Sequence, residues 1–123
     1  MSQVRAARLG GTIQKLLSVE LGRFAEDPRL AVLGISQVTL SADLGVATVA
    51  VRIMFGPSDQ RAEMQSLKAV QAIAPRLRSS LARALTMRRV PELRFVYDHG
   101  EDHRRTVDRL LQEIESEPKA QDD

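Results

Sequence analysis

Cysteine is absent from this sequence of 123 residues, and so is tryptophan. Without cysteine, thiol catalysis, cysteine-ligated zinc, iron–sulfur clusters and a disulfide framework are excluded. The sequence also lacks an apolar run of about 18 residues that could cross a membrane, and Met1–Arg5 lack the apolar core of a signal peptide. We therefore expect a soluble, cytoplasmic protein with no membrane partner.

Aromatic residues are also scarce, and the four present are Phe24, Phe55, Phe95 and Tyr97. Because the core of a small domain takes most of its aromatic side chains, too few remain for a sheet that stacks successive bases. An RNA-recognition motif is therefore not expected. The length predicts a single domain that buries about two-thirds of its unfolded surface without metal or disulfide support.

Charge is distributed unevenly along the chain. The formal net charge is +2, from 18 basic and 16 acidic residues. Residues 113–123 hold five acids against Lys119, whereas residues 1–112 hold 17 basic and 11 acidic side chains, and 15 of all the basic residues are arginine. A basic body with an acidic tail favours a nucleic-acid partner, and an ordinary solvated surface is the alternative of equal weight.

The first segment predicts a helix over residues 3–25. Its apolar residues recur at three- and four-residue steps, at Leu9, Ile13, Leu16, Leu17, Leu21 and Phe24. Gly10 and Gly11 interrupt this pattern, so either the helix begins at Thr12 as an N-cap or the glycines permit a close approach. Asp27-Pro28 is expected to end the helix, because the residue before proline avoids the α region.

Two strands are predicted next. Large apolar residues recur at every second position from Val49 to Phe55, and this period of two is typical of a half-buried strand. The apolar residues Leu33 and Ile35 are at odd positions, whereas Val38 and Leu40 are at even positions. In a regular strand the two pairs would face opposite sides of the sheet, so we predict a bulge near Ser36-Gln37. Residues 41–45 have the aspartate and glycine of a hairpin turn.

The middle of the chain predicts two helices joined by a kink. An apolar stripe runs from Gln60 to Met87 in helical phase, with Ser58 or Asp59 as its N-cap. Pro75 lies inside the stripe, and an interior proline breaks the hydrogen-bond ladder. We therefore place the kink at Ala74 and Pro75, with the proline in the first turn of the second helix.

A third strand is predicted over Pro91–Asp98, at an edge of the sheet or beginning at the proline. A last helix is expected from Glu101 to about Glu115, and the acidic end of the chain is expected to be disordered. The order α-β-β-α-kink-α-β-α describes an α+β domain of residues 1–112, with helices on one face of a three-stranded sheet. Residues 113–123 complete the last helix and form the tail.

One cluster could carry chemistry. His99 and His103 are four residues apart, as metal-ligating histidines can be, and Asp98 precedes them. Gly100, however, stands where a zincin has its glutamate, so a strand-to-helix turn is the preferred interpretation. No phosphate-binding loop and no nucleophile elbow is present, and we expect no catalytic residue, metal or cofactor. A small hydrolase that uses these side chains stays open as a hypothesis.

The basic residues form a more ordered pattern. Arg76 and Arg83 are seven apart on one face of the second middle helix, opposite its leucines, and Arg78 lies to one side. Long cations on a rigid helix, beside N-terminal amides, suit phosphate contact. The candidate RNA-binding residues are therefore Arg76, Arg78, Arg83, Arg88 and Arg89, extended by Arg5, Arg8 and Lys15 on the first helix.

Three segments in order resemble the bacterial ribosome-binding factor A family, over roughly residues 4–112. They are Asp27-Pro28-Arg29-Leu30, then Ser41-x-Asp43-Leu44-x-x-Ala47-x-Val49, and then Arg88-x-Val90-Pro91-Glu92-Leu93-x-Phe95-x-Tyr97-Asp98 with a helix ending Arg109-Leu110-Leu111. The resemblance implies a KH-like domain of type II in which a kinked helix pair replaces the G-x-x-G loop. Ile73-Ala74-Pro75 stands where the family has Ala-x-Gly.

The resemblance also implies a function. The chain is expected to be a ribosome assembly factor that binds the immature small ribosomal subunit and its rRNA and promotes late maturation, including 5′-end processing. It would be a monomer, would not be an enzyme and would have no small-molecule substrate. The alternative is a dimerising or protein-interaction α+β module without an RNA partner.

Overall fold

The structure is a computed structural model that describes residues 3–100. Helix α1 spans Gln3–Gly22 and buries Ile13, Leu17 and Leu21 against the sheet. Thr12 lies within α1, where its hydroxyl donates to the carbonyl of Arg8 at 3.1 Å, so it is not an N-cap. The close approach is the correct alternative, and it occurs at Gly10, where an added Cβ would lie 2.9 Å from the carbonyl oxygen of Val38.

The predicted end of the first helix is wrong in one respect. Helix α1 ends at Gly22 instead of residue 25, and a turn follows. Asp27 does not terminate a helix but caps the short helix α2, Pro28–Ala31, because its side chain accepts a hydrogen bond from the amide of Arg29. Proline is tolerated in a first turn, since its missing N–H would have no helical partner there.

Strands β1, Leu33–Leu40, and β2, Val46–Ile53, form an antiparallel hairpin. The pairing shifts between Ile35 and Gln37, which confirms the predicted bulge. The hydroxyl of Ser36, the residue at the shift, donates at 2.7 Å to the buried carboxylate of Asp98, the residue that follows the third strand. The bulge therefore links the first strand to the far edge of the sheet.

Strand β3, Glu92–Tyr97, pairs in parallel with β2, so the sheet order is β1-β2-β3 and β3 is an edge strand as predicted. The prediction of a half-buried strand ending at Phe55 is wrong. The strand ends at Ile53, and Phe55 lies beyond it with 70% of its surface exposed. As the central strand, β2 is buried from Ala47 through Val51, because both neighbouring strands shield it.

Helix α3 spans Gln60–Ala72 and helix α4 spans Ala74–Ala84. Asp59 caps α3 by accepting from the amide of Ala62 at 2.8 Å. Val70 of α3 and Leu77 of α4 join the leucines of α1 and the inward residues of β2 and β3 in one hydrophobic core. This confirms the α+β class with helices packed on a three-stranded sheet.

Several predictions lie outside residues 3–100. They are the last helix from Glu101 to about Glu115, the domain limit at 112, the tail 113–123 and the side chain of His103. Within the described part of the chain, no helix is both long enough and apolar enough to cross a membrane.

Candidate nucleic-acid interface

The predicted kink between the middle helices is confirmed. Ile73 separates α3 from α4, with φ −96° and ψ 5°, and its amide contacts the carbonyl of Val70 at 3.2 Å. Pro75 occupies the first turn of α4, and the N-cap residue of that helix, Ile73, has an apolar side chain that cannot accept a hydrogen bond. In the part of the chain that the structure describes, the amides at the start of α4 therefore have no side-chain cap, and the positive end of the helix dipole lies at the kink.

Helix α4 separates its apolar and basic residues sharply. Leu77 and Leu81 are each only 1% exposed, whereas Arg76 and Arg83 are exposed on the other side. This side of α4 and the C-terminal part of α1, with the turn that follows, enclose a groove of about 680 Å³. We call it the α1–α4 groove, and it is lined by Glu20, Arg23, Phe24, Glu26, Asp27, Arg76, Ser79, Ser80 and Arg83.

Two arginines of the groove have defined neighbours. The guanidinium carbon of Arg76 lies 4.8 Å from the centre of the Phe24 ring, which is a cation–π distance. The Nη2 atom of Arg83, two turns further along α4, donates to the hydroxyl of Ser80 at 3.2 Å. The predicted pairing of Arg76 and Arg83 on one face is therefore what the structure shows.

Carboxylates in the groove were missed by the sequence interpretation. Glu20 pairs with Arg23 at 3.3 Å, Asp27 pairs with Arg29 at 2.8 Å, and Glu26 lies between them in the chain. The hydrogen bond from the Arg29 side chain, helped by its amide, lowers the pKa of Asp27 below its ordinary value. The groove is therefore mixed in charge instead of purely basic.

The sequence does contain a pattern that relates Glu20 to the groove. Glu20 and Phe24 are four residues apart, so a helix that continues past Leu21 would place them on one face. That spacing does not reveal which helix packs beside them, and α1 in fact ends before Phe24. Only the packing of α4 against α1 brings the acids to the arginines.

Arg78, also predicted to contact RNA, has structural partners. Its Nη2 atom donates to the carbonyl of Val90 at 2.7 Å, and its Nε atom donates to the carbonyl of Pro91 at 3.1 Å. These bonds hold the segment that leads into β3 against α4. The guanidinium of Arg78 thus stabilises the fold through two hydrogen bonds to backbone carbonyls.

Arg88 and Arg89 are exposed in the segment between α4 and β3. Arg89 is close enough to the hairpin turn to act electrostatically on Asp43. The pKa of Asp43 is lowered mainly because the amide of Gly45 and the hydroxyl of Ser41 donate to its carboxylate, at 2.9 and 2.8 Å, and Arg89 adds to this. The turn is joined to β3 by a hydrogen bond from the amide of Glu92 to the carbonyl of Gly45.

The basic residues of α1, Arg5, Arg8 and Lys15, are exposed. Contacts of Gly10 with Val38 and of Gln14 with Ile35 show that α1 runs antiparallel to β1, with its N-terminal end toward the hairpin turn. The eight predicted cations therefore do not form one cluster. Arg76 and Arg83 line the groove, while Arg88, Arg89 and the start of α1 lie toward the opposite, hairpin end.

The cluster around His99 is held by contacts within the fold. His99 Nε2 lies 3.2 Å from a carboxylate oxygen of Glu63, and its ring lies 4.8 Å from that of Tyr97. The Tyr97 hydroxyl accepts from the amide of Ile53, and Asp98 binds Ser36 and the amide of Gly100. Among residues 3–100, no group of three or more potential metal ligands is present.

Comparison with known protein sequences finds similarity to one family. A family model described as ribosome-binding factor A matches residues 5–111. Ribosome-binding factor A of Sorangium cellulosum is 42% identical over 110 residues, which cover 89% of this chain and 88% of that protein.

Solved structures agree with the sequence comparison. The crystal structure of ribosome-binding factor A from Thermus thermophilus superposes with a TM-score of 0.63 at 34% identity, covering 75% of this chain and 94% of that one. A homology model of the Thermus thermophilus factor, fitted into a cryo-EM map of its 30S complex, gives a TM-score of 0.59 at 34% identity, with 74% and 92% coverage. The predicted KH-like fold is confirmed by these neighbours.

Proposed function

The chain belongs to the ribosome-binding factor A family, and we propose that it binds the small ribosomal subunit through its rRNA. It acts as an assembly factor that promotes late maturation of the subunit, including processing of the rRNA 5′ end. It works as a cytoplasmic monomer, without enzymatic activity and without a small-molecule substrate. The observation that carries the proposal is the match to a relative that was fitted into a 30S complex.

The kinked helix pair supports this proposal. The uncapped N-terminus of α4 lies beside Arg76, and Arg83 extends the basic side of the helix. Amides at a helix N-terminus and long cations on a rigid surface are the groups that bind RNA backbone and bases. We assign Arg76 and Arg83 to one contact region and Arg88, Arg89, Arg5 and Arg8 to a second one near the hairpin turn. Lys15 lies further along α1 and extends this second region away from the turn.

Arg78 belongs to the proposed surface in a different way. Its two hydrogen bonds fix the backbone that carries Arg88 and Arg89 toward β3. We therefore propose that Arg78 supports the second contact region by positioning it, in addition to any phosphate contact of its own.

Co-sedimentation of the full chain with purified small subunits tests the proposal at low and moderate salt. Loss of the cations Arg83, Arg88 and Arg89 by substitution with alanine should weaken binding by at least tenfold, because each phosphate contact contributes counterion release. The salt dependence of binding should also become shallower. Arg61→Ala removes an exposed arginine of α3 outside both regions and serves as the matched control.

Absence of binding by the native chain at low salt would contradict the proposal. The maturation role has its own test, since the 5′ ends of small-subunit rRNA can be mapped in cells depleted of the protein. Accumulation of 5′-extended rRNA, reversed by the native chain and not by the triple alanine variant, is the expected result. Fully processed 5′ ends in depleted cells would contradict the role in processing.

A further inference from the structure

The α1–α4 groove has a chemistry that suits a base better than a phosphate. We propose that an unpaired RNA base lies in this groove against the Arg76 guanidinium, which Phe24 holds in position. This rests on the proposed function, because it names the part of the RNA that the first contact region recognises. Arg83, Ser79 and Ser80 line the groove beside it.

The first observation is the contact between Arg76 and Phe24. A guanidinium 4.8 Å from a ring centre is held by the electrons of the aromatic face, which limits its conformational freedom. Arg76 remains exposed, and both residues line the groove. A planar cation that is already held in place is a surface on which a base can stack, since RNA bases stack on arginine as well as on aromatic rings.

The second observation is the charge of the groove. Three carboxylates, from Glu20, Glu26 and Asp27, line it together with three arginines. These carboxylates, two of which pair with Arg23 and Arg29, offset much of the positive charge of the arginines, so the groove attracts an RNA phosphate less than a purely basic surface would. The amino and imino groups of a base, in contrast, donate hydrogen bonds to carboxylates, and its carbonyls accept them from arginine and serine.

The third observation is size. The groove encloses about 680 Å³, which lies within the range of roughly 300–1,000 Å³ that small-molecule sites occupy. One base with its ribose therefore fits, whereas a double helix does not. An unpaired nucleotide is the RNA element that the groove can accept.

The test compares two short single-stranded RNAs of equal length at low salt, one with normal nucleotides and one in which every base is replaced by an abasic ribose. Both carry the same phosphates, so the difference in Kd measures recognition of bases. The native chain should bind the normal RNA about tenfold more tightly, as stacking of one base predicts. Arg76→Lys keeps the positive charge but lacks the planar guanidinium on which a base can stack, so it should remove this difference in Kd.

Two further variants make the test specific. Phe24→Leu keeps an apolar side chain but removes the ring, and it should reduce the base preference as Arg76→Lys does. Arg61→Lys is the matched control, because Arg61 is an exposed arginine of α3 outside both contact regions, and it should retain the preference. A full base preference in Arg76→Lys would overturn the inference, and so would equal binding of the two RNAs by the native chain.

The inference and the proposed function fail in different ways. Equal binding of the two RNAs with normal co-sedimentation on small subunits would overturn base recognition and leave ribosome binding intact. Loss of both RNA binding and co-sedimentation would overturn the two together. Subunit binding with no affinity for either RNA would point to a protein contact and would also overturn base recognition.

Discussion

Helix α1 presents two contrasting sides. Toward β1 it packs so closely that Gly10 leaves no room for a Cβ, and the side chain of Gln14 donates to the backbone carbonyl of Ile35 at 3.2 Å. Toward α4, its C-terminal part borders an open groove that is lined with charged groups. The closely packed side fixes the position of the helix against the sheet, whereas the side toward α4 carries charged groups that border the groove.

The largest expected effect concerns the closely packed side. Gly10→Ala should lower the free energy of unfolding by about 1–2 kcal/mol, because the overpacking against the backbone oxygen of Val38 exceeds the gain in helix propensity. Gly11→Ala is the matched control, since no neighbouring group among residues 3–100 lies within 4 Å of its Cβ position. It should stabilise the protein by about 0.5–1 kcal/mol in urea denaturation. Stabilisation by both alanines would contradict the close contact.

Two arginines of α4 differ in the same way, since Arg78 has hydrogen-bond partners within the fold and Arg76 borders the groove. Arg78→Ala removes two hydrogen bonds to carbonyls and should destabilise the fold by about 1–2 kcal/mol. Arg76→Ala, only two residues away, should change stability by less than about 0.5 kcal/mol, because it removes an exposed side chain that borders the groove. Denaturation curves of the two variants provide the measurement, and equal losses would show that the groove also supports the fold.

The hairpin turn should make stability depend on pH. Hydrogen bonds from Gly45 and Ser41 lower the pKa of Asp43 below its ordinary value of 3.8. The ionised carboxylate therefore contributes stability above pH 3.8, and this contribution is lost as the pH falls through the lower, folded-state pKa. An NMR titration should give a pKa below 3.8 for Asp43. Asp43→Asn should remove part of the acid-induced loss of stability, whereas an identical acid profile would contradict this assignment.

A small effect on stability is also expected at the kink. Pro75→Ala should destabilise the protein by less than about 1 kcal/mol, through greater freedom of the unfolded chain. A proline in a helix interior costs about 3 kcal/mol, but Pro75 lies in the first turn of α4, where that cost is absent. Stabilisation by about 2 kcal/mol or more, close to that interior cost, would show that α3 and α4 are a single helix strained by the proline.

Much of the fold could be predicted from local patterns. The change of parity between Ile35 and Val38 located the bulge, and Pro75 located the kink, because both signals act on the backbone of neighbouring residues. The end of the first helix was predicted wrongly, because Asp27-Pro28 can end one helix or cap another. The burial of β2 was also missed, since alternation does not report that strands flank both edges.

The candidate site was predictable only in part. Helical spacing placed Arg76 and Arg83 on one face, and the structure agrees. Two sets of contacts could not be predicted, because each joins residues more than ten positions apart. They are the cation–π contact of Arg76 with Phe24 and the hydrogen bonds from Arg78 to the carbonyls of Val90 and Pro91. Charge counting also could not show that Glu20 and Asp27 share the groove with the arginines.

By itself, the sequence determined the order of α1, β1, β2, α3, α4 and β3, together with the bulge and the kink, but it did not reveal the short helix α2. It also determined the resemblance to ribosome-binding factor A, through three short motifs at matching spacing. These features depend on residues that are near one another in the chain. Only the tertiary structure decided which cations border a groove, which one holds a loop and which acids face them, because those roles depend on how α1 and α4 pack. The absence of cysteine excluded thiol and cysteine-ligated metal sites, and the scarcity of aromatic residues argued against a sheet that stacks bases. Only the packing of α4 beside α1 brings Arg76 into contact with Phe24, one of the few aromatic residues.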